Sequence, residues 1–486
     1  MSSGARATEG LRWQVVRGGL LLTSQRVLSA VIAGIGGIVL ARLLMPELFG
    51  VYGIISFVVG LGVVIGDLGI GAAFLQRRDL NLQTSLSAAF TAQFGLALLL
   101  GGVIAISAPF WIRWVGLEPS AIAPLQCLSI LVPLAALRMP VAVMLERDLR
   151  YGPVTLAETL DTLVFHSVAV AAALIGWGVW SFVAGVVSAR LAGFLVLWRS
   201  SRWQPSVGWQ WSDLRPTLKF GLPFQGTAML TLVRDAIVPT AVVAWAGVAA
   251  VGYLNWAAAL AYLPLQLVSI AGRVLLPALA RLQTEPQAFA IALERALNRV
   301  AVVLYPAAFL LLAGAEPIVR FVYGPSWLPA VPAVQLFCVT AILGGTSNML
   351  VHAFYCLGRA DVVFRLNILW TVLLWGLALP LVWWLGFVGF ALASACLSLT
   401  SVVTALMLKQ LVPVRIFPAI RAPLVAGMLA GLCFGVLTTT WVDGIVSLIV
   451  SAAGATGVYV LAVGIIGGAS WCSDLMEDWR DALVWR

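Results

Sequence analysis

Apolar runs of 18 to 26 residues, separated by short polar connections, fill almost the whole chain. They fall at about 19–41, 49–74, 85–108, 120–144, 156–176 and 178–198, then at 217–240, 248–270, 297–314, 330–355, 366–385, 387–408, 422–440 and 445–469. A helix of ~20 residues crosses a bilayer core, so each run predicts a membrane span and the pattern predicts about fourteen of them. The fold class is therefore an all-α polytopic membrane protein. Two pairs of spans, around Gly176 and around Gly386, are joined by very short turns. The connection 271–299 carries Phe289, Ile291, Leu293 and Leu297 among Glu294, Arg295 and Arg299, which predicts an amphipathic helix at the membrane surface.

Composition agrees with the pattern. The chain has 486 residues, 62% of them hydrophobic and 10% charged, with a mean hydropathy of +1.02. Soluble domains carry roughly 25% charged residues. The first seventeen residues are polar and basic (Arg6, Arg12, Arg17) and the next apolar run is span-length, so no cleavable signal peptide is expected.

The net charge of +9 reflects topology, with no nucleic-acid partner expected, because no basic cluster lies in a soluble domain. With the N-terminus inside, the connections at 75–84, 145–155, 199–219, 271–299, 357–365 and 409–421 are cytoplasmic, as is the C-terminus. Of the 29 Lys and Arg, three (Arg42, Arg113, Arg320) fall in outer connections and four (Arg26, Arg138, Arg190, Arg234) inside spans, leaving 22 on the cytoplasmic side. That asymmetry sets the orientation. Six scattered cysteines form no C-x-x-C pair and read as small buried hydrophobes, with no disulfide or metal site expected.

The chain carries a weak internal repeat at an offset of 200–210 residues. "FGVYGIIS" at Phe49–Ser56 recurs loosely as "VGYLNWAA" at Val251–Ala258, and "GWGVWSFVAG" at Gly176–Gly185 as "GFVGFALAS" at Gly386–Ser394. An even number of spans separates the copies, so the two halves are parallel repeats about an axis along the membrane normal. Chance recurrence of Gly and aromatics in apolar helices is the alternative.

The stretch from Ala41 to Asp79, "ARLLMPELFG.YG" with an apolar run, "DLGIGAAFLQ" and the basic exit Arg77-Arg78, resembles the second helix of the polysaccharide-exporting flippases. These are a branch of the multidrug/oligosaccharidyl-lipid/polysaccharide exporter superfamily. Ala250–Gln283 resembles the second-half counterpart of that stretch, and Tyr323–Cys338 and Leu357–Trp370 resemble later landmarks. The resemblance implies two six-helix lobes, residues 1–205 and 206–412, related by a pseudo-twofold along the membrane normal. Two additional C-terminal helices and a cytoplasmic tail occupy 413–486. It further implies an inner-membrane flippase that moves undecaprenyl-diphosphate-linked oligosaccharide by alternating access, for exopolysaccharide, capsule or O-antigen biosynthesis. Polysaccharide polymerase and chain-length machinery are its candidate partners.

Charges inside spans need explaining, because one at mid-bilayer costs on the order of 2.5–3.5 kcal/mol on insertion scales. Arg26 has Ser29, Ala30 and Ala33 at helical spacing, and Arg234 has Thr227 and Thr231. Both are candidates to line a cationic cavity and grip a pyrophosphate, since guanidinium binds phosphate oxygens in two-pronged fashion. A structural ion pair of Arg26 with Asp67 is the alternative. Arg138 and Arg190 are expected to snorkel to the inner interface. Glu158, Thr162 and His166 share one helical stripe, so Glu158, Asp161, His166 and Asp235 are candidates for ion coupling. The alternative pairs Glu158 and Asp161 with Arg147 or Arg150. Asn348 and His352, with Tyr355, are candidates to meet sugar hydroxyls, and Tyr253, Trp256 and Tyr262 are expected to be structural.

No Walker A motif exists; the two lysines, Lys219 and Lys409, lack its context. No HExxH, G-x-S-x-G or kinase set is present, no cofactor is expected, and the chain reads as a transporter, not an enzyme. The alternatives are a cation-coupled extruder or a peptidoglycan-precursor flippase of the same superfamily, and, further off, a membrane glycan polymerase or ligase.

Overall fold

The computed structural model describes residues 24–76, 82–201, 208, 209, 211–265, 279 and 281–484. The expected basic N-terminus, the Arg77-Arg78 exit and residues 266–278 of the second-half motif lie outside the described residues. Among the described residues all regular structure is helical.

Thirteen helices are long and apolar enough to cross a membrane. They match thirteen of the fourteen predicted runs. In place of the fourteenth stands a shorter apolar helix, Val248–Ala261, whose predicted continuation enters 266–278. Among the most exposed apolar side chains are Ile106, Ile465 and Trp384, at 83, 81 and 77%. Side chains of this kind on so many helices suit lipid as solvent, not water.

The chain forms two compact units, Met1–Asn255 with Asn367–Phe387, and Trp256–Leu366 with Val388–Arg486. In the first, α1 (Ser24–Leu43) is followed by α2 (Pro46–Asp67), which starts on Pro46, a residue preorganised for a first helical turn. The predicted run 49–74 is not one span. It breaks at Leu68 and Gly69 (φ 55° and 66°) before the short α3 (Ile70–Gln76). A side chain at Gly69 would collide with the backbone of Gly221, so packing sets the break.

Next come α4 (Leu82–Val115), α5 (Ile122–Leu128), α6 (Leu131–Arg147), α7 (Tyr151–Leu174) and α8 (Trp180–Ser200). They are followed by α9 (Trp211–Asp235), a π turn at Val238–Val242, α10 (Val243–Ala246) and α11 (Val248–Ala261). Helix α2 packs on α4, α6 and α9. It also crosses α11, where the first repeat motif meets its second copy. A Cβ on Gly50 would strike the carbonyl oxygen of Val248, and one on Gly252 that of Pro46. Each glycine thus faces the carbonyl four residues before the other, a local two-fold relation between the copies. Small residues permit this backbone approach in membrane helices.

In the second unit α12 (Pro286–Ile318) merges two predicted elements. The amphipathic stretch is not a separate surface helix. Its apolar face (Phe289, Leu293, Leu297) is buried and continues directly into the span. Then follow α13 (Val331–Cys356), α14 (Ala360–Leu385, most of which belongs to the first unit), α15 (Phe387–Ser398), α16 (Ser401–Lys409), α17 (Ile416–Thr440) and α18 (Ile445–Val484), kinked at Gly468. Helices α12 and α17 meet along Gly427 and Gly431, which seat on Phe309 and Tyr305. Glu294 accepts a hydrogen bond from the Arg415 N–H at 2.6 Å, and the Asn298 amide donates to the Ala419 carbonyl at 2.7 Å. The Tyr459 hydroxyl donates to the Val302 carbonyl at 2.8 Å, which fixes α18 to α12. Cysteines are not uniformly buried as expected: Cys338 and Cys356 are, whereas Cys127 and Cys396 are exposed.

Candidate functional site

The site grows out of the α7–α8 hairpin of the first unit. Helix α8 presents Gly185, Ala189 and Gly193 at four-residue spacing, all buried. This small-residue stripe lets α7 approach closely; a Cβ on Gly185 would lie 2.9 Å from the Phe165 carbonyl oxygen. At Gly193 the space a side chain would take holds the Asp161 carboxylate and the Arg138 guanidinium.

Arg138 of α6 grips Asp161 of α7 with both arms, Nη2 to Oδ2 at 2.9 Å and Nη1 to Oδ1 at 3.3 Å. Arg190 of α8 donates Nη1–H to Oδ2 of the same carboxylate at 3.0 Å. Arg138 and Asp161 are 15 and 13% exposed, Arg190 52%. Removing one partner of a buried charge cluster costs about 3–5 kcal/mol, because the remaining charge is stranded. Asp161 is therefore what lets two arginines sit side by side here.

A cavity of about 410 Å³ opens beside this cluster. Gln25 of α1, Tyr52 of α2, Glu158, Asp161 and His166 of α7 and Arg190 of α8 line it. Gln25 donates Nε2–H to the Ser29 hydroxyl at 3.0 Å, while its Oε1, like His166 Nδ1, is buried with no hydrogen-bond partner among the described residues. His166 packs on Gly36 of α1. The arrangement offers one half-exposed guanidinium beside two carboxylates and neutral donors and acceptors, so its cation can meet an anionic, hydrogen-bonding group. Its lining carries one cation, Arg190, and two carboxylates, Glu158 and Asp161, with Arg138 held on Asp161 outside the lining, so in this unit it is a mixed-charge cavity.

Three of the candidate ion-coupling residues, Glu158, Asp161 and His166, thus come together. Asp235 does not join them. It pairs with its own neighbour Arg234, Nε to Oδ1 at 3.1 Å, although adjacent residues on a helix point apart. Arg26 lies half-buried on α1, next to the cavity-lining Gln25. Among the described residues Asp67 takes neutral partners in place of the alternative ion pair with Arg26: its Oδ1 accepts from the amide of Gln93 at 3.3 Å, and the Gly69 backbone N–H also donates to its carboxylate. Asn348 is exposed on α13, and His352 Nδ1 lies 2.7 Å from the Asn348 carbonyl oxygen one turn earlier. Tyr253 stacks on Phe387, Trp256 packs against Trp327, and Tyr262 meets Phe337.

Sequence reasoning missed Arg138 and Arg190 as site residues. Asp161 takes both as partners instead of Arg147 or Arg150; Arg147 donates to the Phe74 carbonyl at 3.1 Å. A usable signal was present. Asp161 lies 15 residues before the hairpin glycine Gly176 and Arg190 lies 14 after it. At ~1.5 Å per residue both stand about 21–22 Å from the turn, hence at one depth on adjacent helices.

A helical bundle of membrane-length spans enclosing a polar, mixed-charge cavity is the build of a multi-pass membrane transporter. The fold is similar to that of the lipid II flippase MurJ in an inward closed conformation, with a TM-score of 0.76 at 15% identity, covering 93% of this chain and 98% of that one. An inward-facing MATE family transporter of the MOP superfamily is also similar (TM-score 0.59, 16% identity, 82 and 96% covered).

The family model described as polysaccharide biosynthesis protein matches residues 39–332, and the chain belongs to that family. The resemblance read from the sequence motifs is thereby borne out. Similar relatives include the lipopolysaccharide biosynthesis protein WzxC of Escherichia coli strain K12, 22% identical over 382 residues, 77% of this chain and 74% of the relative. The succinoglycan biosynthesis transport protein ExoT of Rhizobium meliloti strain 1021 is 23% identical over 327 residues, 67% of this chain and 66% of the relative.

Proposed function

We propose that this chain is an inner-membrane flippase that carries undecaprenyl-diphosphate-linked oligosaccharide from the cytoplasmic to the outer leaflet by alternating access. In this reading residues 1–205 and 206–412 are the two lobes, 413–486 adds the last two helices and tail, and both termini are cytoplasmic. The polyprenyl tail stays in lipid while glycan and diphosphate pass through polar space. The observation that carries the reading is the half-exposed Arg190 on the wall of a 410 Å³ polar cavity, in a chain of the polysaccharide biosynthesis family.

Arg190 grips the diphosphate, and Arg26, beside the cavity wall, adds charge. Glu158 and His166 are the groups through which an ion could couple to transport, and Asn348 and His352 meet sugar hydroxyls. Arg234, tied to Asp235, has the lesser claim on the anion.

The test is glycan export in a flippase-null host that makes a matched repeat unit, with membrane levels of each variant checked. Wild type is expected to restore surface polysaccharide. Arg190→Ala and Arg26→Ala are expected to insert normally and to leave lipid-linked intermediates on the cytoplasmic side. Normal export by Arg190→Ala would make that arginine purely structural, and no rescue by wild type would overturn the substrate class.

A further inference from the structure

We infer that Asp161 is a built-in competitor for the substrate's diphosphate, with Arg138–Asp161 the permanent pair and Arg190 the exchangeable cation. This rests on the function proposed above and assigns a positioning role within it. The two arginines hold Asp161 unequally. Arg138 is nearly buried and bound through both arms, whereas Arg190 gives one N–H, is half exposed and forms part of the cavity wall. A guanidinium has five N–H donors in a planar fork, so Arg190 can re-aim toward a phosphate without leaving α8.

The exchange strands no charge. When Arg190 turns to a diphosphate, Asp161 keeps its two-pronged bond to Arg138, and that pair is neutral. When the substrate leaves, the carboxylate recaptures Arg190. Gly193 keeps this geometry open, since a side chain there would occupy the carboxylate's place. Without Asp161 the cation would hold its anion in every state, and binding that is equally tight throughout a cycle does not speed it.

The test uses the full chain in lipid nanodiscs, with farnesyl diphosphate as probe and farnesol as uncharged control. Asp161→Asn is expected to tighten diphosphate binding by about three- to tenfold while lowering export per inserted molecule. In an Arg190→Ala background the same substitution should change nothing. Unchanged or weaker binding by Asp161→Asn overturns the exchange, and so does tightening that persists without Arg190, which would be bulk electrostatics.

Should Asp161→Asn fail to insert, Arg138→Gln decides. It leaves the whole carboxylate to Arg190, so probe affinity should fall about threefold or more, and only when Arg190 is present. Unaltered affinity in Arg138→Gln overturns the proposal. Wild type that does not prefer the diphosphate over farnesol overturns the function reading itself. A discriminating wild type with an unresponsive Asp161→Asn overturns only the exchange.

Discussion

The glycine crossing of α2 and α11 makes a quantitative demand on stability. Adding one methyl at Gly50 or Gly252 places a Cβ on a carbonyl oxygen of the opposite helix, with the carbonyl carbon only 2.9 Å away in both cases. Ordinary contacts of this kind are 3.4 Å or longer, and the obstacle is backbone, so the helices must part by about an ångström along several turns. Overpacking of this sort costs about 1–3 kcal/mol.

Gly60 on the same helix supplies the control, because a Cβ there meets nothing within 4 Å. Gly60→Ala should therefore show only the helix-propensity gain of up to about 1 kcal/mol. Thermal unfolding of the purified protein in detergent, followed by tryptophan fluorescence, should rank Gly60→Ala at or above wild type. Gly50→Ala and Gly252→Ala should fall clearly below it.

The double variant sharpens the test. Once the helices have parted for the first methyl, the second meets less resistance, so the double variant should lose less stability than the sum of the two single losses. Equal stability of Gly50→Ala and Gly60→Ala, or strict additivity in the double variant, would refute the close crossing.

Two further outcomes follow from packing. Gly193→Val should push Asp161 off Arg138 and abolish export while the protein still inserts, read by surface polysaccharide against membrane level; wild-type export would mean the triad is dispensable. Trp327, fully buried against Trp256 with ring centroids 4.6 Å apart, should cost about 3–5 kcal/mol when cut to alanine. A melting temperature within a degree of wild type would contradict that packing.

Trp327 also shows why one landmark was readable. It lies in the Tyr323–Cys338 motif, and its ring fills the space beside Tyr323's neighbour Trp256. A motif built on a large buried aromatic leaves a mark in sequence. The charge cluster leaves a fainter one. At the corresponding distances from Gly386, fifteen before and fourteen after, stand Thr371 and Thr400. The second hairpin therefore carries no charge at those positions, and a search for repeated charges would not have found the site.

What the sequence by itself determined is the all-helical membrane bundle, its spans, its hairpins and its family. These follow from local quantities: apolar length, short turns and motif order. It also placed Glu158, Thr162 and His166 on one stripe, because helical spacing is local. What only the tertiary structure decided is which partner each polar group takes. Asp161 met Arg138 and Arg190, and Asp67 met Gln93, since pairing across helices depends on their depth and rotation, set by their neighbours. The glycines make the same point. Gly34 and Gly60 face open space, whereas Gly50, Gly69 and Gly193 face a carbonyl, a backbone and a carboxylate. A residue with no side chain carries no sign of what fills the space beside it, so only packing gives it meaning.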